Sequence, residues 1–463
     1  MGKVKMDDRE TRHMAEEGTV LAGLAAYAAR LSEAELEAGV THAAKRVFLD
    51  WLAALYPGTQ MAPATLLRQA WCEEVGLGRS RVPGTRDTVF PATAAWLNGS
   101  ASHAAELDDI FKDGLYHPGC PVIAAALAVG DDIRASGSTF LRGVIAGYEV
   151  STRIAAAIQP AHYRYFHTTG TVGCIGAAAA AAAILTPGDA FVAQHAMATA
   201  ASFASGLQQA FRSDAMTKAL HAGHAAAVGV RAAQAAKQGV TGVADIMEGP
   251  VGFGAALAEG PDWFCLLQGA GAHFNITRMT QKTHACCGHT FAAIDAVLHL
   301  RASHRIQASE VDRIEVHTYG TALEVAGNPN PLSAFEGKFS LPYVMCHALV
   351  EGAVDPASFA PDKLSDPQVR QLMARVSLHE DAGLSARFPR QRAARVRMTL
   401  HDGTTLEHFS PHRKGDPEEP LSDADLDQKF LRLASTVLGV EAAQNLRDRV
   451  WLLDTLDLAD LIL

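Results

Sequence analysis

The sequence predicts a mainly α-helical protein, in which a large all-helical domain carries an inserted, smaller α+β lid domain. Three observations predict it. Up to about residue 265, apolar residues recur at i, i+3 and i+4 in one segment after another. From about residue 270 to 405 the texture changes, and VDRIEVHTYG alternates with β-branched residues as a strand does. The helical period then returns. A chain of 463 residues suggests two or three domains, and 48% hydrophobic against 19% charged residues supplies a large core. The expected division is 1–268 plus 406–463 for the helical domain and 269–405 for the insert.

Taken in order, AEEGTVLAGLAAYAARL and EAELEAGVTHAAKRVFLDWLAALY read as amphipathic helices. TAAWLNGSASHAAELDDI reads as a third, with Asp108 and Asp109 at its end. PVIAAALAVGDDIRA and STFLRGVIAGYEVSTRIAAAI follow. TVGCIGAAAAAAAIL contains seven consecutive alanines, Ala177 to Ala183. Alanine is the best helix former, and its small side chain lets neighbouring helices approach, so this helix is expected to be buried. AFVAQHAMATAASFASGLQQAF and KALHAGHAAAVGVRAAQAAKQG complete a set that is apolar on most faces, as a close-packed core requires. In the insert, AARVRMTLHDGTTLEHF reads as a hairpin turning at Asp402-Gly403. Helices are expected after Gly288 and over PYVMCHALVEG. The tail helix in SDADLDQKFLRLASTVLG opens with the capping residues Ser422 and Asp423.

A net charge of −10 argues against general nucleic-acid binding. It leaves room for an anionic substrate held by a local cluster of Lys, Arg and His. Seven cysteines form no regular framework, and the start MGKVKMDDRE lacks the apolar stretch of a signal peptide. A reduced, cytoplasmic protein is therefore expected. The alanine runs are broken too often by Gly, His and Arg to predict a membrane span. No P-loop, GxGxxG, GxSxG, HExxH or EF-hand motif occurs, and no cofactor or metal is expected.

Five clusters carry residues suited to chemistry. AELDDIFKDGLYHPGCPV brings Asp108 and Asp109 near His117, and an Asp beside a His fixes its tautomer and raises its basicity. The plain alternative is a helix connection with solvated carboxylates. His167 precedes Thr168, Thr169 and Thr171 at the start of the alanine helix, where backbone N–H groups and the positive dipole end suit an anion. The alternative there is a tight turn with an ordinary histidine. In SDAMTKALHAGHAA, Lys218 sits in apolar company with His221 and His224 one and two turns on, so it either snorkels or meets an anion. QKTHACCGHTFAAIDAV offers Lys282, His284, Cys286, Cys287 and His289. This resembles half a zinc site without a second pair, or a catalytic histidine at a helix start, or a structural turn. NPLSAFEGKFSLPY adds Lys338 and Ser340. Together these residues form a kit for proton transfer beside a carboxylate. Lys and His neutralise substrate carboxylates, one His or Asp removes an α-proton, and another His protonates the leaving group. A metal-dependent hydrolase using the fourth cluster and a non-catalytic helical binding protein are the competing readings.

Read in order, ASHAAELDDIF, HPGCPVIAAALAVGD, GYEVSTRIA, FHTTGTVGCIGAAAAAA, TKALHAGHAAAVGVRAA, KTHACCGHTFAAIDAVL, NPLSAFEGKFSLPY and HRKGDPEEPLSDADLDQKF resemble the MmgE/PrpD family. That family contains 2-methylcitrate dehydratase, cis-aconitate decarboxylase and iminodisuccinate epimerase. The resemblance implies a helical domain plus an α+β lid, usually as a homodimer, with an active site in the cleft between domains and no cofactor. It implies a cofactor-independent lyase or isomerase acting on a small di- or tricarboxylate, as a dehydratase or epimerase ahead of a decarboxylase. Carried over by position, Asp109, His117, His167, Lys218 and His289 become the catalytic set. His167 and His117 are then the acid–base pair and Asp109 orients one of them. Lys218 and the lid histidine hold carboxylates or stabilise an enolate-like intermediate. Thr168, Thr169, His221, His284, Lys282 and Lys338 are the expected substrate-binding set. Two positions depart from the family pattern. Phe291 stands where many relatives carry the histidine of THxxID, so His289 or His284 takes that place. Gly119 stands where a serine commonly follows His-Pro.

Overall fold

Seven alanines in a row set the centre of the helical part. In a computed structural model, which describes residues 18–211, 215–263 and 266–463, they lie in the helix Thr168–Leu185. The charged start of the chain, Ser213 and Asp214 of the third cluster, and Cys265 lie outside the described residues. The longer helices are α1 (Val20–Glu33), α2 (Ala38–Thr59), α3 (Pro91–Ala104), α4 (Gly119–Ile133), α5 (Gly137–Ala157) and α6 (Thr168–Leu185). They continue as α7 (Ala190–Ser202), α8 (Thr217–Lys237), α9 (Phe291–His304), α10 (Leu341–Glu351), α11 (Asp423–Leu438) and α12 (Val440–Trp451). The protein is thus mainly helical, with a small sheet in its C-terminal region. Two compact units result. The first comprises the described residues up to Ala104, then Asp108–Met279 and Asp423–Leu463; the second comprises Ala105–Leu107 and Thr280–Ser422.

In the first unit, α6 is buried from Thr168 to Ile184 and packs against α4, α5, α7 and α8. Small side chains are what permit this. A Cβ at Gly229 of α8 would lie 2.4 Å from the Ala177 Cβ, so only glycine allows the two helices this approach. Among the described residues α6 alone is long and apolar enough to cross a membrane, and it is a core helix. Ends are fixed by side chains: Thr19 Oγ1 accepts from Ala22 N before α1, and Ser136 Oγ accepts from Thr139 N before α5. The C-terminal helices return to the same unit, where Lys429 of α11 pairs with the buried Asp50 of α2 at 2.6 Å.

One local expectation fails. The helix expected to run through Asp108 and Asp109 ends at Ala104. Glu106 adopts φ +58°, which takes the chain out of the helix, and both aspartates lie in the irregular segment that follows.

The second unit holds strands β1 (Val311–Thr318), β2 (Val376–Glu380), β3 (Ala394–Leu400) and β4 (Thr405–Ser410) in the order β2-β1-β3-β4. β1 pairs in parallel with β2 and antiparallel with β3, so that Val316 stands beside Leu378 on one side and Val396 on the other. The β3–β4 hairpin turns at Asp402-Gly403. Gly403 takes φ +86° and Asp402 Oδ1 accepts from Thr404 N at 2.8 Å. α9 packs on β3 and β4, and α10 packs on α9. β4 starts at Thr405, and the unit extends past it to Ser422.

Candidate active site

The site is built on the start of α6. His167 is the residue before its first turn. Its N–H donates to the Gly206 carbonyl (2.9 Å), and its own carbonyl accepts from Gly170 N (2.8 Å), so the backbone holds the side chain in place. The ring is buried. His167 Nδ1 lies 3.0 Å from His221 Nδ1, Phe211 meets it edge-on at 4.7 Å between centroids, and His103 lies nearly parallel at 5.5 Å. Burial is the main reason that the His167 pKa falls well below the ordinary imidazole value. The neighbouring His103, His221, Lys218 and His117 add to it. His221, one turn after Lys218 on α8, is pushed down to about 4, again mainly by burial. Both rings are therefore neutral near pH 7, and one of the two facing nitrogens carries the bridging proton. Lys218 Nζ sits 5.4 Å from the centre of the Phe211 ring.

His117 enters from the segment before α4. Its N–H donates to Thr169 Oγ1 at 3.2 Å. Its Nδ1 lies 2.8 Å from the Asp109 carbonyl and 2.8 Å from Asp108 Oδ2. A nitrogen facing two oxygen acceptors carries the proton, which leaves Nε2 for chemistry. The same Asp108 oxygen is 2.8 Å from His103 Nδ1. The carboxylate that serves His117 is thus Asp108, while Asp109, expected to orient a histidine, meets His117 through its backbone carbonyl. Asp109 Oδ1 accepts from Gly119 N (2.9 Å) at the start of α4, and its Oδ2 accepts from the Tyr148 hydroxyl (2.8 Å). Burial, and then the charge of Asp50, push the Asp109 carboxyl up to about 7. Gly119 leaves the room this needs, because a Cβ there would stand 2.8 Å from Asp109 Oδ1 and 2.9 Å from the Tyr148 oxygen.

The threonines serve as fasteners. Thr168 Oγ1 accepts from Gln159 Nε2 (3.1 Å), Thr169 holds the His117 backbone, and Thr171 Oγ1 meets His162 Nε2 at 2.7 Å. His224 lies further along α8 with its ring against Trp96. Among the described residues, His103, Asp108 and His117 form a group whose ligand-type atoms lie within 4.8 Å of one another. An ion there needs a bare nitrogen lone pair from each histidine. The two acceptors at His117 Nδ1 place a proton where that lone pair would be, so the donor set fits hydrogen bonding and not a metal.

Lys282, His284, His289 and Lys338 belong to the second unit. Lys282 is buried, with Nζ 3.0 Å from the Glu106 carbonyl and 3.5 Å from its Oε2. His284 Nε2 meets Asp295 Oδ1 at 2.9 Å, and His289 Nδ1 meets the Tyr319 hydroxyl at 2.8 Å. Burial, with the charges of Arg392 and Arg413, holds the His289 pKa down. Cys286 Sγ faces Thr290 Oγ1. The Cys286, His284 and His289 side chains thus turn to different partners, and the half zinc site does not form. Phe291 is buried at the head of α9, edge-on to His284 at 5.2 Å. The Lys338 carbonyl accepts from Cys287 N (2.9 Å), and its Nζ lies 5.9 Å from the Phe359 ring centre.

The structure therefore brings His117, His167, Lys218, His221, Thr168 and Thr169 together, with Asp109 behind them. Sequence reasoning passed over His103 and Phe211, and of the acidic pair near His117 it carried Asp109 forward rather than Asp108. One signal was present: His103 lies five residues before Asp108, in the last turn of a helix that leads into the acidic pair.

The MmgE/PrpD N-terminal domain matches residues 22–265 and the MmgE/PrpD C-terminal domain matches residues 284–455. The chain belongs to the MmgE/PrpD family. Human cis-aconitate decarboxylase is 29% identical over 422 residues, covering 88% of this chain and 86% of the relative. The cis-aconitate decarboxylase-like protein oryM of Aspergillus oryzae is 27% identical over 475 residues, covering 95% of each. Mouse cis-aconitate decarboxylase is 28% identical over 434 residues, covering 88% and 85%.

Proposed function

We propose that this member of the family is a lyase acting on a small tricarboxylate, with proton transfer by His167 and His117. One juxtaposition carries the reading. An imidazole kept uncharged by burial, His167, lies beside a second imidazole, His117, whose Nδ1 is backed by the Asp108 carboxylate. The first is a base, and the second is a place where a proton can be stored. Lys218 supplies the positive charge that attracts a carboxylate to the same cluster. The relatives named cis-aconitate decarboxylase make cis-aconitate the first substrate to try.

For decarboxylation, the bond to the departing carboxylate breaks. Its electron pair spreads over the adjacent double bond and a remaining carboxylate, carbon dioxide leaves, and His117 delivers a proton to carbon. Asp108 balances the imidazolium before that step. A second reading is dehydration of a hydroxy tricarboxylate, and the uncharged state of His167 favours it. His167 takes the α-proton, the electron pair forms the double bond as the C–O bond breaks, and His117 protonates the departing hydroxyl. Product analysis by NMR with cis-aconitate, citrate and 2-methylcitrate tests both. Loss of carbon dioxide supports the first and loss or addition of water the second. No conversion of any of them refutes the proposal.

A further inference from the structure

We infer, on the reading that this cluster is the reaction site, that His103 is a further substrate-binding residue, which holds an oxygen of the substrate at Nε2. His103 is buried in the last turn of α3. Its Nδ1 is fixed by Asp108 Oδ2 at 2.8 Å. Its other nitrogen, Nε2, is enclosed, and no described residue gives it a hydrogen bond. A buried polar atom without a partner is costly, so packing alone does not account for a histidine here. The ring also stands against both histidines of the proposed reaction, nearly parallel to His167 at 5.5 Å and inclined 61° to His117 at 5.1 Å.

The chemistry of the missing partner follows from the ring. Asp108 sets its plane and decides which nitrogen is left over. A neutral ring with its proton on Nδ1 accepts at Nε2 from a hydroxyl, and a protonated ring donates there to a carboxylate. Both are oxygen functions of a tricarboxylate or its hydroxy derivative. An alkyl group offers neither.

The test is binding of propane-1,2,3-tricarboxylate, which has no double bond or leaving group and does not react. It is titrated calorimetrically into the full-length protein and into two variants. His103→Asn keeps an amide N–H near the Nδ1 position, and so the Asp108 bond, but has nothing at Nε2. His103→Gln reaches the Nε2 position but loses Nδ1. A charge-assisted hydrogen bond predicts that His103→Asn weakens binding about 10- to 100-fold at near-unchanged melting temperature, while His103→Gln stays within about fivefold of the parent. Parent-like binding by His103→Asn overturns the assignment. So does an equal loss in both variants with a lowered melting temperature, which marks a purely structural role. Parent protein that binds the probe but converts no tricarboxylate removes the proposed reaction and still leaves His103 to be decided by the two variants. Parent protein that does not bind the probe overturns His103 as a carboxylate contact.

Discussion

Replacing Asp108 by Asn removes one charge and almost no volume from the centre of the cluster. Asp108 Oδ2 lies 2.8 Å from both His103 Nδ1 and His117 Nδ1, and the residue is buried, so water cannot stand in for it. Charge centres of such a pair are about 4 Å apart, which at an effective dielectric near 20 gives about 4 kcal/mol of support for an imidazolium at His117. Discounted to about 3 kcal/mol for the hydrogen bond an amide still makes, and divided by 1.36 kcal/mol per decade, this predicts a fall of roughly 10² in kcat/KM. The fold loses little, because a neutral amide is easier to bury than a carboxylate. The assay is steady-state turnover of whichever tricarboxylate the parent converts, alongside thermal melting. A folded Asp108→Asn protein with kcat/KM within fivefold of the parent refutes the assignment of Asp108 as the carboxylate behind His117.

Three other outcomes are expected. Asp109, held up to about 7 by burial and Asp50, keeps a proton in the folded chain that the unfolded chain gives up from pH 3.8 upward. Its contribution to stability therefore falls as pH rises between those values. Asp109→Asn should gain on the parent by about 1.4 kcal/mol per pH unit across that window, and denaturant titrations at several pH values showing a constant difference contradict this. Gly119→Ser places a Cβ 2.8 Å from Asp109 Oδ1 and should cost about 1–3 kcal/mol by parting Asp109 from Tyr148. An unchanged denaturation midpoint shows that the segment yields freely. Because His167 lies well below the ordinary imidazole range and His221 is at about 4, kcat/KM should hold its plateau as pH falls through about 6.5 and decline only at lower pH. A half-maximum at about 6.5 means that a solvated histidine is the base.

Much of the fold is legible in the residues themselves. The alanine run, the i, i+3, i+4 segments and the Asp402-Gly403 hairpin each declare local structure, and the ordered motifs declare the family. What stayed hidden has physical reasons. β2 is a half-exposed edge strand, so VSLHE carries no clear alternation. The end of α3 was misplaced because AELDD continues a helical pattern, while the residue that breaks it, Glu106 at φ +58°, belongs to a type that seldom adopts that conformation. Choosing between adjacent aspartates needs coordinates. Asp108 and Asp109 differ only in which way each side chain turns after that break, one toward the two histidines and one toward Gly119 and Tyr148. Nor does periodicity reveal that His103, Phe211 and His221, from separate elements, meet around His167.

The central claim is that the His117 and His167 pair moves a proton to or from a bound tricarboxylate. The most direct measurement is the reaction in deuterated buffer with parent protein and with His167→Asn, followed by NMR and mass spectrometry, with melting temperatures compared. If carbon dioxide is lost, the account predicts solvent deuterium at the product carbon that His117 protonates; if water is lost, it predicts for His167→Asn a rate at least about 10²-fold lower at near-unchanged stability. Loss of carbon dioxide without solvent deuterium in the product, or loss of water by His167→Asn as fast as by the parent, contradicts it.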